Sequence, residues 1–262
     1  MKLLLHAVFN EALPGYLLHE IKAQGYDGIR IDAQNCGAAQ TNLLADDAIR
    51  AGLWPLVIVR DAAQLTMLPH GVDIEVRNEP DIGTNERLTP AQYVDIASEC
   101  VNVAQAHGLG RVWIGAVSNL NRRGLDFLYA VFSHDWPGVG CSVHRYPHGG
   151  YDELPTTPHA GLISRDAEIA ELKQIIGDRP WGVSELGYHQ GLRCKGFWIF
   201  KRCRWWSRAE VVRNLQFERT FFAHHGAEFL TVYQINDGAG SGALDTYGRR
   251  DKHGTWKTPA FP

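Results

Sequence analysis

The chain has 262 residues, 45% of them hydrophobic, enough to bury a large core in one large domain or two small ones. Its 26 Lys+Arg against 29 Asp+Glu leave a net charge of -3, so the clustered basic surface that nucleic-acid binding needs is not expected. No run approaches the roughly 18 apolar residues of a membrane span, and no membrane association is expected. The opening MKLLLHAVFN is too short for a signal-peptide core, lacks a small-residue cleavage site, and reads as a first buried strand. The compartment stays open between a cytoplasmic protein and a mature secreted form.

In chain order, short apolar runs alternate with helical patterns. The run 2–8 reads as a strand, and 14–25 as a helix with Pro14 near its start and Gly25 past its end. Strand 28–32 precedes helix 41–52; strand 54–60 precedes at most a short helix over 61–71. Strand 72–79 leads to the clearest helix, 89–108, with Thr89 as cap and Pro90 in its first turn. Then come strand 111–117, helix 121–133, strand 139–144, helix 164–177, strand 181–186, helix 207–226 and strand 229–235. Eight strands alternating with helices predict a (β/α)8 barrel in one domain spanning 1–262. The rival is an open doubly wound sheet, which calls for a Gly-rich phosphate loop after the first strand; FNEALPG is no such loop. The tail from Asn236 leaves no room for a full closing helix, so the last helix is expected to be short or missing.

The five cysteines fit no zinc spacing, and their odd number argues against a disulfide framework. Cys194 and Cys203 are the pair that could bridge within one loop.

Barrel enzymes do their chemistry at the C-terminal ends of strands. The second strand delivers Arg30 and Asp32 there, the third Arg60 and Asp61, the fourth Asn78 and Glu79. The sixth delivers His144 and Tyr146, the seventh Glu185, the eighth Tyr233, Gln234, Asn236 and Asp237. A carboxylate at the end of a buried strand is costly unless something pairs or uses it. Two of them facing one cavity fit the machinery of glycoside hydrolysis, in which one acid gives a proton to the leaving oxygen and one carboxylate attacks the sugar carbon. Glu79 and Glu185 are the candidates; a structural ion pair is the bland reading of either alone.

With these residues in place the chain resembles glycoside hydrolase clan A, the retaining (β/α)8 hydrolases that include families 5 and 39. RNEP at 77–80 is similar to the clan's fourth-strand Asn-Glu pair, and SELG at 184–187 to its seventh-strand nucleophile motif. GIRI at 28–31 is similar to its second strand, and VHRYP at 143–147 to its sixth. The tail ALDTYGRRDKHGTWKTPA is similar to the stretch that precedes the clan's last helix. The resemblance implies Glu79 as acid/base and Glu185 as nucleophile, with Arg30, Asn78, His144 and Tyr146 in support. Arg30 and the Tyr146 hydroxyl would keep Glu185 anionic and aimed. Asn78 would bond the sugar 2-hydroxyl, and the charge of Glu185 would help Glu79 hold its proton. Two departures stand out: the third strand ends in Arg60 and Asp61 where family 5 commonly has His, and the eighth offers Tyr233 where a Trp platform is usual.

The segment after Glu185, 187–208, is dense in aromatic and basic residues, among them Trp198, Trp205 and Trp206. Aromatic faces suit sugar rings, and cations suit carboxylate or sulfate groups on them. A subsite wall biased toward anionic glycans is one reading; a hairpin with a private mini-core is the other. Metal-dependent barrels gather His and carboxylates on several strand ends, and only Asp32, Glu79 and His144 could do so here, with no His-x-His or His-Glu-x-x-His signature.

The expectation is thus a monomeric enzyme, needing no metal or other cofactor, that hydrolyses β-linked oligo- or polysaccharide by double displacement. The alternatives are a carbohydrate-binding barrel without turnover and a metal-dependent isomerase or lyase barrel.

Overall fold

Apolar, β-branched runs that are buried on both faces form a parallel sheet here, and the sheet closes on itself. The computed structural model describes residues 1–7, 15–33, 38–82, 87–146, 156–158, 164–188, 192–195, 202–205, 207–233 and 256. The strands are β1 (Lys2–Ala7), β2 (Gly28–Asp32), β3 (Trp54–Val59), β4 (Asp73–Val76), β5 (Val112–Val117), β6 (Gly140–His144), β7 (Trp181–Leu186), β8 (Leu192–Lys195), β9 (Arg202–Trp205) and β10 (Phe229–Val232). The helices are α1 (Gly15–Ala23), α2 (Ala38–Arg50), α3 (Pro90–Ala106), α4 (Arg122–Phe132), α5 (Arg165–Ile176) and α6 (Arg208–His224), with a 3-10 turn at Ala62–Met67 after β3. The barrel order is β1-β10-β7-β6-β5-β4-β3-β2, with every neighbouring pair parallel. This is the (β/α)8 barrel expected from the sequence. Among the described residues no helix is long and apolar enough to cross a membrane.

Helix ends follow local sequence chemistry. The Thr89 hydroxyl accepts from the Gln92 amide while the Gln92 side chain accepts from Thr89, closing a capping box on α3; Ser207 and Glu210 do the same for α6. Asn121 and Ser164 cap α4 and α5.

The barrel interior has two storeys. Leu4, Leu56, Trp113 and Phe229 form an apolar plug, with the Trp113 and Phe229 rings edge to face at 4.8 Å. Glycine makes that plug possible: a Cβ on Gly140 would stand 2.4 Å from the Trp113 ring. Above the plug the inward residues turn polar, and His6, Arg30, Glu75, His144 and Glu185 are all buried there. A second buried ionic knot ties the outer layer: Arg165 pairs with Glu218 at 2.9 Å, and the Tyr188 hydroxyl donates to Glu218 at 2.7 Å.

Between β7 and α6 the chain makes an antiparallel hairpin, β8–β9, whose register sets Cys194 opposite Cys203. The side chains of this hairpin, and with them any Cys194–Cys203 bridge, lie outside the described residues, as does the chain after Tyr233 apart from Trp256. Trp256 donates its indole N–H to Glu20 on α1 at 3.3 Å.

Candidate active site

The tripeptide after β4 needs an unusual backbone. Arg77 has φ 63° and Glu79 φ 49°, both in the left-handed region that disfavours side chains. Such residues cost of order 1–3 kcal/mol each, so tertiary contacts must hold them. The Arg77 N–H donates to the Val59 carbonyl at 2.8 Å and the Glu79 N–H to the Ala116 carbonyl at 3.0 Å, tying the turn to both neighbouring strands. Below, the Tyr93 hydroxyl donates to the Val76 carbonyl at 2.9 Å and accepts from the Gly115 N–H at 2.8 Å. This brace brings Glu79 to the centre of the mouth.

Arg30, fully buried on β2, is the hub. Its Nη1 donates to Glu185 Oε1 at 2.5 Å and contacts His6 Nδ1 at 2.8 Å. Its Nη2 donates to Glu75 and to Asn78 Oδ1, the latter at 2.8 Å, and lies 3.3 Å from His144 Nε2. Burial works against the guanidinium charge, but Glu75 and Glu185 outweigh it and hold the group firmly protonated.

Glu185, at the end of β7, is 6% exposed. Burial alone would raise its pKa; the charges of His144 and Arg30 and the Tyr146 hydrogen bond overcome that and bring it down to about 2. Tyr146 donates its hydroxyl to Glu185 Oε2 at 2.8 Å. The Arg145 N–H donates to the Glu185 carbonyl at 2.9 Å and fixes the two strand ends together.

His144 stands between the glutamates. Its Nδ1 is 3.3 Å from Glu79 Oε1 and 3.6 Å from Glu185 Oε2. Arg30 can only donate, so in the neutral ring Nε2 accepts and Nδ1–H faces the carboxylates. Burial opposes a charge on His144, as does Arg30, yet Glu185 and the Glu79 hydrogen bond prevail and the pKa rises. His6 goes the other way: burial, then Arg30, bring it down to about 3.

Of the residues singled out in the sequence, Arg30, Asn78, Glu79, His144, Tyr146 and Glu185 meet in one hydrogen-bonded cluster. Tyr233 borders it, its ring 5.2 Å from His6 and 6.1 Å from Tyr146. Trp198 and Trp206 lie outside the described residues, and Trp205 is described only as backbone of β9. Arg60 and Asp61 serve elsewhere: Asp61 caps the 3-10 turn and pairs with Arg60 at 3.1 Å. Sequence reasoning missed Glu75 and His6. Each sits on a strand whose residues alone give no sign that its side chain meets Arg30.

One donor atom each from Glu79, His144 and Glu185 lie within 4.8 Å of one another. The group could relay protons, flank a bond to be broken, or hold a metal ion.

By sequence, no protein-family model and no curated protein matches this chain. By structure it is similar to a GH128 subgroup II endo-β-1,3-glucanase from Sorangium cellulosum, with TM-score 0.63, 14% identity, and coverage of 98% of this chain and 95% of that one. It is also similar to a GH5-4 broad-specificity endoglucanase from Clostridium longisporum, with TM-score 0.64, 12% identity, and coverage of 95% and 83%. A third is Cel5A of Thermotoga maritima, solved with mannotriose, with TM-score 0.60, 14% identity, and coverage of 93% and 87%. The likeness is one of fold. At these identities it carries the barrel and its connectivity, and the chemistry must be argued from the side chains.

Proposed function

We propose that this chain is a retaining glycoside hydrolase of the clan A type, acting on β-linked glycans. The observation that carries the proposal is the spacing of the two glutamates: an oxygen of Glu79 lies within 4.8 Å of an oxygen of Glu185. Retaining enzymes hold their carboxyl groups about 5–5.5 Å apart, inverting ones about 6.5–9.5 Å, to leave room for a water.

In the first step a Glu185 oxygen attacks the anomeric carbon and forms an ester bond as the glycosidic C–O bond breaks. Glu79 gives its proton to the departing oxygen. In the second, water attacks the same carbon, Glu79 takes its proton, and the ester bond breaks to return Glu185 as an anion. Arg30 and Tyr146 hold Glu185 ionised and aimed. Asn78, fixed through Oδ1 by Arg30, would donate its amide N–H to a sugar 2-hydroxyl. Tyr233 offers a ring face to the sugar.

The aromatic and basic segment 187–208 would form a wall of the cleft and favour acidic glycans. Deleting residues 191–204 should lower cleavage of acidic glycans relative to neutral ones; an unchanged ratio would remove this role. The main reading is tested on aryl β-glycosides and a panel of β-glucans and β-mannans. Glu79→Gln and Glu185→Gln should each abolish most turnover of whatever the native chain hydrolyses. A native chain that binds glycans but turns none over is a binding barrel.

The Glu79–His144–Glu185 group also supports a second reading, a metal-dependent isomerase or lyase. Arg30, bonded to Glu185 and 3.3 Å from His144, puts a fixed cation against that group and weighs against it. Activity that survives a strong chelator excludes it.

A further inference from the structure

Glu75 takes no part in the two steps above, yet it is fully buried in the polar storey of the barrel. It faces inward on β4, four positions before Glu79. Its Oε1 bonds Arg30, and its Oε2 meets no hydrogen-bond partner among the described residues. A buried carboxylate left half-satisfied is expensive, and apolar side chains of similar size fill such positions without loss. The storey directly below is filled in that way, by Trp113, Phe229, Leu4 and Leu56. Packing therefore gives no reason for an acid at this position.

The geometry around Arg30 does. One nitrogen, Nη2, is held by Glu75 and Asn78; the other, Nη1, reaches Glu185 and His6. Two carboxylates thus divide one guanidinium. We propose that Glu75 is a positioning residue of the reaction, which anchors Arg30 and takes half of its charge so that Glu185 remains a competent nucleophile. This rests on the reading of Glu185 as the nucleophile.

The consequence differs between the two half-reactions. In the free enzyme, Glu75 competes with Glu185 for Arg30, so the attacking oxygens are less strongly stabilised before attack. In the covalent intermediate Glu185 is an ester without charge. Arg30 would then be an unpaired cation in a dry interior, were Glu75 not beside it. Removing the Glu75 charge should therefore slow formation of the intermediate and destabilise it once formed. A side chain that merely shapes the barrel would slow both steps together.

The test uses a 2-deoxy-2-fluoro-β-glycoside with an activated leaving group, in the sugar series that the native protein hydrolyses. Two rates are read: trapping, which reports attack by Glu185, and reactivation, which reports release. Glu75→Gln keeps the shape and removes the charge. It should trap at least about tenfold more slowly, with reactivation unchanged or faster. Equal slowing of both rates, or no change in either, overturns the proposal. If the Gln variant does not fold, Glu75→Asp is read in the same way, since its carboxylate is one methylene too short to reach Arg30. Trapping slowed more than reactivation supports the proposal, and equal slowing overturns it. A native protein that hydrolyses with inversion, or not at all, overturns the double-displacement reading and the role of Glu75 with it.

Discussion

The Tyr146 hydroxyl donates to Glu185 Oε2 at 2.8 Å, joining the end of β6 to the end of β7 across the mouth of the barrel. A hydrogen bond to a charged group contributes about 1.5–3 kcal/mol. Tyr146→Phe should therefore lower kcat/KM by roughly ten- to a hundredfold. Tyr146 is half-buried, so the melting temperature should move little. Steady-state kinetics beside a thermal melt check both halves.

Acid should unfold the native protein partly through Glu185. Its folded pKa, about 2, lies below its ordinary value of 4.5. The unfolded chain therefore binds the proton first, and the stabilisation is complete above pH 4.5 and lost as pH falls toward 2. The linkage is on the order of 3 kcal/mol. His6 adds to the same trend: its folded pKa is about 3 against 6.5, so protonation favours the unfolded chain as pH falls through that range. Denaturant melts from pH 7 downward should show the stability gap between native protein and Glu185→Gln narrowing below pH 4.5.

The knot of Arg165, Glu218 and Tyr188 should be a stability hot spot. Glu218→Ala leaves the buried Arg165 guanidinium without that carboxylate, and breaking such a pair costs about 3–5 kcal/mol. The expected outcome is a large drop in the urea midpoint. Glu218→Gln, whose carbonyl oxygen can still accept from Tyr188 and from Arg165 Nη1, should fall less.

Gly140→Ala tests the apolar plug. Its new Cβ would meet the Trp113 ring at 2.4 Å, and overpacking of this kind costs about 1–3 kcal/mol. Denaturant unfolding should show the loss, and red-shifted or broadened Trp fluorescence should accompany it.

The barrel was legible because strands buried on both faces read as apolar runs, and helix signals such as the Thr89 cap punctuate them. The mouth residues were legible because each breaks an apolar run at its end. Glu75 was not, because Asp73-Ile74-Glu75-Val76-Arg77 alternates like a strand with one wet face. In a closed barrel the alternate face is the interior, and only the arrival of Arg30 from β2 makes an acid tolerable there. His6 was hidden in the same way within KLLLHA. It lies beside Arg30, on β1 rather than on β3, after which Asp61 caps the 3-10 turn and pairs with Arg60.

The most direct test of the two-glutamate reading is peptide mapping of the protein after trapping with a 2-fluoro-glycoside. The label is expected on Glu185, in the peptide that carries WGVSEL, and absent from Glu185→Gln. A label on Glu79 or any other residue, or turnover with no trapped adduct and inverted product, would contradict it.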